Sequence, residues 1–256
     1  RLQVEHPVTE MVTGLDLVEC MLRVASGERL PFTQADMQPN GWSFECRVYA
    51  EDPLRNFLPS VGTLSRYAHP EQAAVVAAAG CEGTVRVDDG IVEGGEVSVH
   101  YDPMIAKLIT HGATRDEARR LMIHALDRYQ IRGDGLRHNL NFLHSLLDHP
   151  RFAAGDVTTA FIPEEYPDGY DGHELTTEQR HDLLACAAAL QLVSDARAHT
   201  GAPALAVGAR TLWARLQADG ADAEQEVTIA IDPTSAGGAT VGSLMPSGAR
   251  LLVHGS

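Results

Sequence analysis

Basic residues are scarce in this chain of 256 residues. Lysine and arginine together number 20, against 35 aspartates and glutamates, which gives a formal net charge of −15. Proteins that bind nucleic acid without regard to its sequence, or that dock on anionic membranes, need a basic surface. The composition therefore argues against both classes of partner. It does not exclude phosphate ligands, because a few well-placed cations are enough to hold one.

Cysteine is also rare. The four cysteines, Cys20, Cys46, Cys81 and Cys186, are far apart and form no C-x-x-C pair. This spacing favours neither a zinc site nor a disulfide framework, and it fits a reducing compartment. Cys46 and Cys186 lie in apolar patterns, so we predict that both are small core residues.

Several other signals are missing from the sequence. There is no signal peptide and no apolar run of membrane-spanning length. There is also no P-loop, no G-x-G-x-x-G motif after a strand, no helical H-x-x-x-H pair and no serine in a nucleophile elbow. The first residue is arginine rather than methionine, so we expect a fragment or a truncated sequence.

The patterns that are present predict an α+β fold. Apolar residues recur at helical spacing over 13–26, with Thr13 as the cap, and again after Thr114, which forms a capping box with Glu117. Asn139 is predicted to cap a shorter helix. Alternating polar and apolar residues predict strands at 44–49 and 63–67 and several short strands within 84–110.

A segment rich in proline, glycine and acidic residues, PEEYPDGYDGHELT, predicts a boundary near residue 172. We therefore expect one domain at 1–172 and a second at 173–256. In the second, Thr176 and Gln179 match a capping box for an alanine-rich helix that reaches about Thr200. Strands are predicted at 210–217, 226–231 and 239–244. The alanine-rich insertion at 72–83 is predicted to extend a surface loop.

The chain opens with RLQVEHP, in which polar and apolar residues alternate. In a strand, Arg1, Gln3 and Glu5 would share one face, Leu2 and Val4 would point inward, and the following proline would end the strand. A guanidinium, an amide and a carboxylate on one face can surround a small anion. An ordinary half-exposed strand gives the same alternation, so the pattern alone leaves both interpretations open.

Longer motifs favour the anion-binding interpretation of the opening segment. RLQVEHPVTEMVTGLDLVE closely resembles the signature of biotin carboxylases, the ATP-grasp enzymes that carboxylate biotin. The resemblance continues, in the family's order and approximate spacing, through ECRVYAEDP, NFLPSVGTL, VRVDDG, HYDPMIAKLIT and GDVTTAFI. It spans residues 1 to about 172. HYDPMIAKLIT and YPDGYDGH look most like the alpha subunits of propionyl-CoA carboxylase and its bacterial acyl-CoA carboxylase relatives.

The resemblance implies a fold. Residues 1–172 would be the C-terminal part of an ATP-grasp biotin carboxylase, with antiparallel sheets flanked by helices. Residues 173–256 lie where these subunits carry a transfer domain, which consists of a long helix beside an antiparallel barrel. The helix and strands predicted there are compatible with the start of such a domain, although no motif in them is specific.

The resemblance also implies a role for each matching residue, with Glu5, Arg1 and Arg47 as the catalytic residues. Glu5 matches the general base that deprotonates bicarbonate. Arg1, Gln3 and the backbone N–H of Val4 would hold the bicarbonate oxygens, since Arg1 offers a planar donor fork. Arg47 matches the arginine that stabilises biotin when its ureido nitrogen loses a proton. A salt bridge with a nearby carboxylate is the structural alternative for Arg47.

The implied reaction consumes ATP and bicarbonate. Bicarbonate attacks the terminal phosphate, the resulting carboxyphosphate breaks down to carbon dioxide and phosphate, and biotin captures the carbon dioxide. Biotin would be attached to a separate carrier domain. The ligands of Mg²⁺ or Mn²⁺, the glycine-rich lid and the lysines that hold ATP are expected upstream of Arg1, so we expect no metal ligand in this chain.

The implied partners are the biotinyl carrier domain and a carboxyltransferase beta subunit, in an oligomer. We expect a bacterial cytoplasmic location, or the mitochondrial matrix if the source is eukaryotic. Two alternatives remain open: a non-catalytic module for assembly or regulation, and a biotin carboxylase that serves acetyl-CoA, methylcrotonyl-CoA or pyruvate. In every case we expect that the chain alone does not turn over ATP.

Overall fold

The structure is a computed structural model that describes residues 1–78, 80–98, 100 and 102–172, positions 176, 179 and 183, and the strand segments 208–218, 221–232, 240–244 and 250–254. It divides into two compact units, Arg1–His173 and Glu174–Ser256. Within the described residues, no helix is long and apolar enough to span a bilayer.

The first unit combines six α-helices and nine strands among its described residues. The helices are α1 (His6–Thr13), α2 (Leu17–Ala25), α3 (Arg115–Arg128), α4 (Leu140–Asp148), α5 (Pro150–Ala154) and α6 (Phe161–Glu165). The strands are β1 (Trp42–Tyr49), β2 (Glu51–Asp52), β3 (Leu58–Pro59), β4 (Gly62–Ala68), β5 (Ala73–Ala78), β6 (Cys81–Asp89), β7 (Glu96–Val97), β8 (Met104–Gly112) and β9 (Gln130–Gly133).

These strands form antiparallel sheets. The largest has the order β1-β8-β6-β5, and two smaller sheets have the orders β7-β4-β9 and β2-β3. In the large sheet, Arg47 on β1 lies opposite Lys107 on β8, which lies opposite Asp88 on β6. Because side chains alternate between the two faces of a strand, this register places the three charged residues on one face.

The opposite face of the large sheet is apolar and packs against α3. The stripe predicted for this helix is buried throughout: Ala118, Leu121, Met122, Ala125, Leu126 and Tyr129. The predicted capping box is also confirmed, because Thr114 N–H donates to Glu117 Oε2 at 2.9 Å and Glu117 N–H donates to Thr114 Oγ1 at 3.2 Å. Cys46 is buried in this core as predicted, whereas Cys186 lies outside the described residues.

For the start of the chain, one predicted element is wrong, and the start and cap of another are wrong. Residues 1–5 are not a strand but an irregular segment that leads into α1, with Glu5 at its N-cap position. The helix predicted over 13–26 is present as α2, but it begins only at Leu17, because Thr13 is the last residue of α1 and Gly14 in the left-handed conformation ends that helix. Asp16, rather than Thr13, caps α2 by accepting a hydrogen bond from Glu19 N–H at 2.8 Å.

The alanine-rich insertion is also not the predicted loop extension. Residues Ala73–Ala78 form β5, which pairs with β6 at the edge of the large sheet. The β-branched Val75 and Val76 favour a strand, and Gly80 has a left-handed φ of 71° at the turn.

The second unit contains β10 (Gly208–Ala218), β11 (Ala221–Asp232), β12 (Thr240–Leu244) and β13 (Arg250–His254). β10 and β11 include the predicted strands 210–217 and 226–231, and β12 covers residues 240–244 of the strand predicted at 239–244. Within the described residues they form an open antiparallel sheet of order β10-β11-β12-β13 rather than a closed barrel. The reciprocal hydrogen bonds of the predicted capping box, between Thr176 and Gln179, are present at 2.9 and 3.2 Å. Most of the helix predicted after them lies outside the described residues.

Candidate active site

The opening segment brings three of the predicted site residues to one place, although not by strand geometry. Arg1, Gln3 and Glu5 are exposed and line a groove of about 1140 Å³ beside α1 and α2. The turn is closed by His6 N–H donating to Gln3 C=O at 3.2 Å and Val8 N–H donating to Glu5 C=O at 3.1 Å. Val4 does not point into a core as predicted, since it is 37% exposed.

Arg47 reaches this segment from β1. Its Nη2 donates to Glu5 Oε2 at 3.1 Å, so two residues that are 42 positions apart in the sequence are in direct contact. The side chains of Arg47 and Glu5 are 42% and 59% exposed. An ion pair this accessible to water contributes at most about 1 kcal/mol to stability, so a ligand can displace it at low cost. The salt bridge foreseen for Arg47 therefore exists but is weak.

Asn139 holds the part of β1 that carries Arg47. Its side chain accepts a hydrogen bond from Tyr49 N–H at 2.9 Å and donates one to Arg47 C=O at 3.0 Å. Because β1 is an edge strand, these backbone groups have no neighbouring strand on that side, and the buried amide of Asn139 replaces one. Asn139 occupies the predicted cap position of α4, but its side chain makes no capping hydrogen bond.

Lys107, the only lysine in the chain, ties the opening segment to the sheet. Its Nζ lies 3.4 Å from Val4 O, 3.4 Å from His6 Nε2 and 3.4 Å from Asp88 Oδ2. The side chain is 14% exposed. We did not predict this role, although a single lysine within the apolar run MIAKLIT was a visible signal.

Glu10 and Arg86 anchor α1 on the charged face of the sheet. Arg86 Nη1 donates to Glu10 Oε2 at 2.8 Å, and its Nε and Nη2 donate to the two carboxylate oxygens of Asp88 at 2.7 and 2.9 Å. Glu10 Oε1 accepts from Leu17 N–H at 2.9 Å and lies 3.0 Å from His6 Nδ1. Burial raises the pKa of Glu10, but the hydrogen bonds from Arg86, Leu17 and His6 outweigh it and hold the pKa below its ordinary value of 4.5.

We expect Arg86→Met to lower the free energy of unfolding of the first unit by about 3 kcal/mol at neutral pH, because the buried Glu10 carboxylate loses its main charged partner. The pKa values of Glu10 and Asp88 are both depressed, so the stabilisation exists above their ordinary values and disappears as the pH falls through the folded-state values. Urea titrations in a Trp213→Phe background, followed by the fluorescence of Trp42, measure the difference at neutral and acidic pH.

Arg23→Met is the matched control for this prediction. Arg23 also pairs with two carboxylates, Glu19 at 2.6 Å and Glu28 at 3.1 Å, but all three side chains are about half exposed. Because water screens these exposed pairs, the loss of Arg23 is expected to lower the free energy of unfolding much less than the loss of Arg86. Equal losses in the two variants would contradict the assignment of Arg86 as the anchor of α1.

Two known protein families match parts of this chain. Residues 45–164 match the family described as biotin carboxylase C-terminal domain, and residues 1–33 match the carbamoyl-phosphate synthase L chain, ATP binding domain. The chain belongs to the biotin carboxylase family. The Glu5–Arg47 pair thus joins two matched regions, since Glu5 lies in one and Arg47 in the other.

Curated relatives include alpha chains of acyl-CoA carboxylases. The propionyl-CoA carboxylase alpha chain of Ruegeria pomeroyi is 50% identical over 207 residues, which are 77% of this chain and 30% of the relative. The human mitochondrial propionyl-CoA carboxylase alpha chain is 50% identical over 199 residues, 77% of this chain and 26% of the relative. The mouse mitochondrial methylcrotonoyl-CoA carboxylase subunit alpha is 43% identical over 202 residues, which are 79% of this chain and 26% of the relative. The chain spans less than a third of the length of these relatives.

Solved structures also match. The biotin carboxylase domain of a thermophilic 2-oxoglutarate carboxylase bound to bicarbonate is 40% identical, with a TM-score of 0.59, covering 65% of this chain and 35% of that one. The biotin carboxylase subunit of a pyruvate carboxylase is 41% identical, also with a TM-score of 0.59, and the match covers 66% of this chain and 34% of that one. The predicted biotin carboxylase fold with antiparallel sheets and flanking helices is therefore confirmed.

Proposed function

We propose that this chain is the part of an ATP-dependent biotin carboxylase that holds bicarbonate and faces biotin, within the alpha subunit of an acyl-CoA carboxylase. The observation that supports this best is the contact between Glu5 and Arg47 at 3.1 Å, beside a groove that Arg1 and Gln3 also line. A carboxylate base, a guanidinium and further anion-binding donors are thereby available to one small substrate.

In this proposal Glu5 is the general base for bicarbonate. It removes the bicarbonate proton while a bicarbonate oxygen attacks the terminal phosphorus of ATP and ADP leaves. Arg1, Gln3 and the backbone N–H of Val4 hold the bicarbonate oxygens during the attack. The hydrogen bond from Lys107 to Val4 C=O supports the last role, because it fixes the peptide chain at Val4.

Arg47 is the proposed biotin residue. Its guanidinium is exposed and its present partner is easily displaced, so it fits a ureido oxygen, which is a planar hydrogen-bond acceptor. When bound, biotin supplies the ureido nitrogen that accepts carbon dioxide. Arg47 would orient the ureido group and stabilise the negative charge that develops on it. In the described residues, no group of three or more His, Cys, Asp or Glu side chains could hold a metal ion.

The proposed partners are ATP, a biotinylated carrier domain and a carboxyltransferase beta subunit in an oligomer. The proposed acyl acceptor is propionyl-CoA, because the propionyl-CoA carboxylase relatives are 50% identical to this chain and the methylcrotonoyl-CoA carboxylase relative is 43% identical. The relatives include bacterial and mitochondrial proteins, and we propose a location of one of these two kinds, the bacterial cytoplasm or the mitochondrial matrix.

A chimera tests the proposed function. We expect bicarbonate-dependent ATP cleavage and biotin carboxylation when this chain replaces the matching 30% of the Ruegeria pomeroyi alpha chain. We expect no ATP turnover from the chain alone. Helix α2 carries an exposed apolar surface of the kind that another part of a protein usually covers. Four of its side chains are 41–67% exposed: Val18, Met21, Leu22 and Val24. The assay measures ADP release with and without bicarbonate. A folded chimera without activity, or turnover by the chain alone, would contradict the proposal.

A further inference from the structure

Glu45 is a buried carboxyl group next to Arg47 that none of the proposed roles uses. It lies on β1, on the same face as Arg47, and its side chain is only 4% exposed. Its Oε1 is 3.9 Å from Arg47 Nε, beyond the length of a hydrogen bond. Among the described residues, no group donates a hydrogen bond to its buried Oε2.

This arrangement is costly, because burial removes the hydration of the carboxylate and no hydrogen bond to Oε2 replaces it. Burial raises the pKa of Glu45 to about 7, although Lys107 and Arg47 lower it, and Glu5 and Asp88 raise it further. The charged and titratable groups that face Glu45 from the surrounding elements include Arg47 on β1, Lys107 and His111 on β8, Arg86 and Asp88 on β6, Glu5 before α1, and His6 and Glu10 on α1. Arg86 pairs with Glu10 and Asp88, and Lys107 pairs with Asp88. Among the described residues, Arg47 is the cation that forms an ion-pair contact with Glu45, at 3.9 Å.

Arg47 is therefore placed between two carboxyl groups of different kinds. Glu5 contacts Nη2, is 59% exposed and belongs to the segment that the proposed function assigns to bicarbonate. Glu45 faces Nε and is fixed within a strand. A movement of Arg47 by about 1 Å would bring Nε within hydrogen-bonding distance of Glu45.

We propose that Glu45 is a positioning residue, which holds the guanidinium of Arg47 through Nε when Glu5 releases it to act on bicarbonate. The proposal rests on the proposed function. Once Glu5 accepts the bicarbonate proton, its attraction for Arg47 falls, and Arg47 must be oriented by another group while it binds the biotin ureido oxygen. An ionised Glu45 does this, whereas a neutral Glu45 lacks the charge to do so.

The first test uses the 256-residue chain itself. In NMR titrations from about pH 6 to about pH 8, we expect the Arg47 Nε–H resonance to shift together with the carboxyl carbon of Glu45. The shift should vanish in Glu45→Gln and persist in Glu93→Gln, which removes a carboxylate whose side chain is 48% exposed and pairs with Arg66. If the Arg47 Nε–H resonance does not change as Glu45 titrates, the positioning role of Glu45 is overturned, independently of the function of the chain.

The second test uses the chimera with an unbiotinylated carrier domain and free biotin as the added acceptor. We expect Glu45→Gln to lower kcat/KM for biotin about tenfold and to leave ATP cleavage without biotin unchanged. Dividing the biotin-dependent rate by the rate without biotin removes the pH dependence that both rates share, including that of bicarbonate. In the parent this ratio should fall as Glu45 becomes protonated below about pH 7, and in Glu45→Gln it should be flat.

Glu45→Asp keeps an ionisable group at this position and should retain the pH dependence at a reduced rate. A pH dependence that persists in Glu45→Gln, or equal losses with and without biotin, would overturn the link to biotin. If the unsubstituted chimera lacks bicarbonate-dependent ATP cleavage, the proposed function fails, and the NMR result alone decides whether Glu45 positions Arg47.

Discussion

Glu5→Gln is expected to lower kcat for bicarbonate-dependent ATP cleavage in the chimera by about 100- to 10,000-fold, the usual contribution of a positioned general base. Glutamine has almost the same shape but cannot accept the bicarbonate proton. The KM for bicarbonate should change little, because Arg1, Gln3 and the Val4 N–H, which hold the anion in our proposal, are all retained. Steady-state ADP release at varied bicarbonate concentrations separates the two constants.

Glu19→Gln is the matched control for Glu5→Gln. Glu19 is also an exposed glutamate near a helix start, and it also pairs with an arginine, Arg23. We expect wild-type kinetics from this variant. Because the Glu5–Arg47 pair is exposed, Glu5→Gln should lower the free energy of unfolding by less than about 1 kcal/mol, which Trp42 fluorescence can verify. A normal kcat in Glu5→Gln would exclude Glu5 as the base.

The sequence was most informative where one local pattern determined the structure. The stripe on α3 requires only helical periodicity, and Thr114 with Glu117 requires only a spacing of three residues, so both could be predicted. Strand β1 was equally clear, because Cys46 and Val48 alternate with Glu45 and Arg47 over several residues and pack on a helix.

The opening segment could not be predicted in this way because five residues are too few to distinguish a strand from a turn. Proline was the misleading signal. We took Pro7 as the end of a strand, but proline is also favoured in the first turn of a helix, where its missing N–H is not needed, and Pro7 lies there in α1. The helix rather than a strand now explains why Arg1, Gln3 and Glu5 lie together, beside its N-terminus.

The charged face of the sheet was inaccessible to sequence analysis for a different reason. Glu10 and Arg86 are 76 positions apart, and Lys107 and Val4 are 103 positions apart. Each residue lies in its own element, and only the register of β1, β8 and β6 brings the charges together. Asn139 was placed at the right position, but the partners of its side chain depend on which strand forms the edge of the sheet.

Arg47→Met should affect a different part of the reaction from Glu5→Gln. We expect the biotin-dependent rate of the chimera to fall by about 100- to 1,000-fold, as when one donor to a developing oxyanion is removed. ATP cleavage without added biotin should remain close to that of the parent, because Glu5, Arg1 and Gln3 are intact. The ratio of ADP release with and without free biotin measures the loss directly.

Arg47→Lys tests whether a positive charge at this position is sufficient for the biotin-dependent rate. A lysine at this position can still pair with Glu5, but it lacks the planar fork that a guanidinium presents to a ureido oxygen and to Glu45. We therefore expect its biotin-dependent rate to resemble that of Arg47→Met, while its stability remains that of the parent. If lysine restored the rate, Arg47 would act only as a nearby positive charge. If Arg47→Met lowered ATP cleavage equally with and without biotin, the residue would belong to the bicarbonate step together with Glu5.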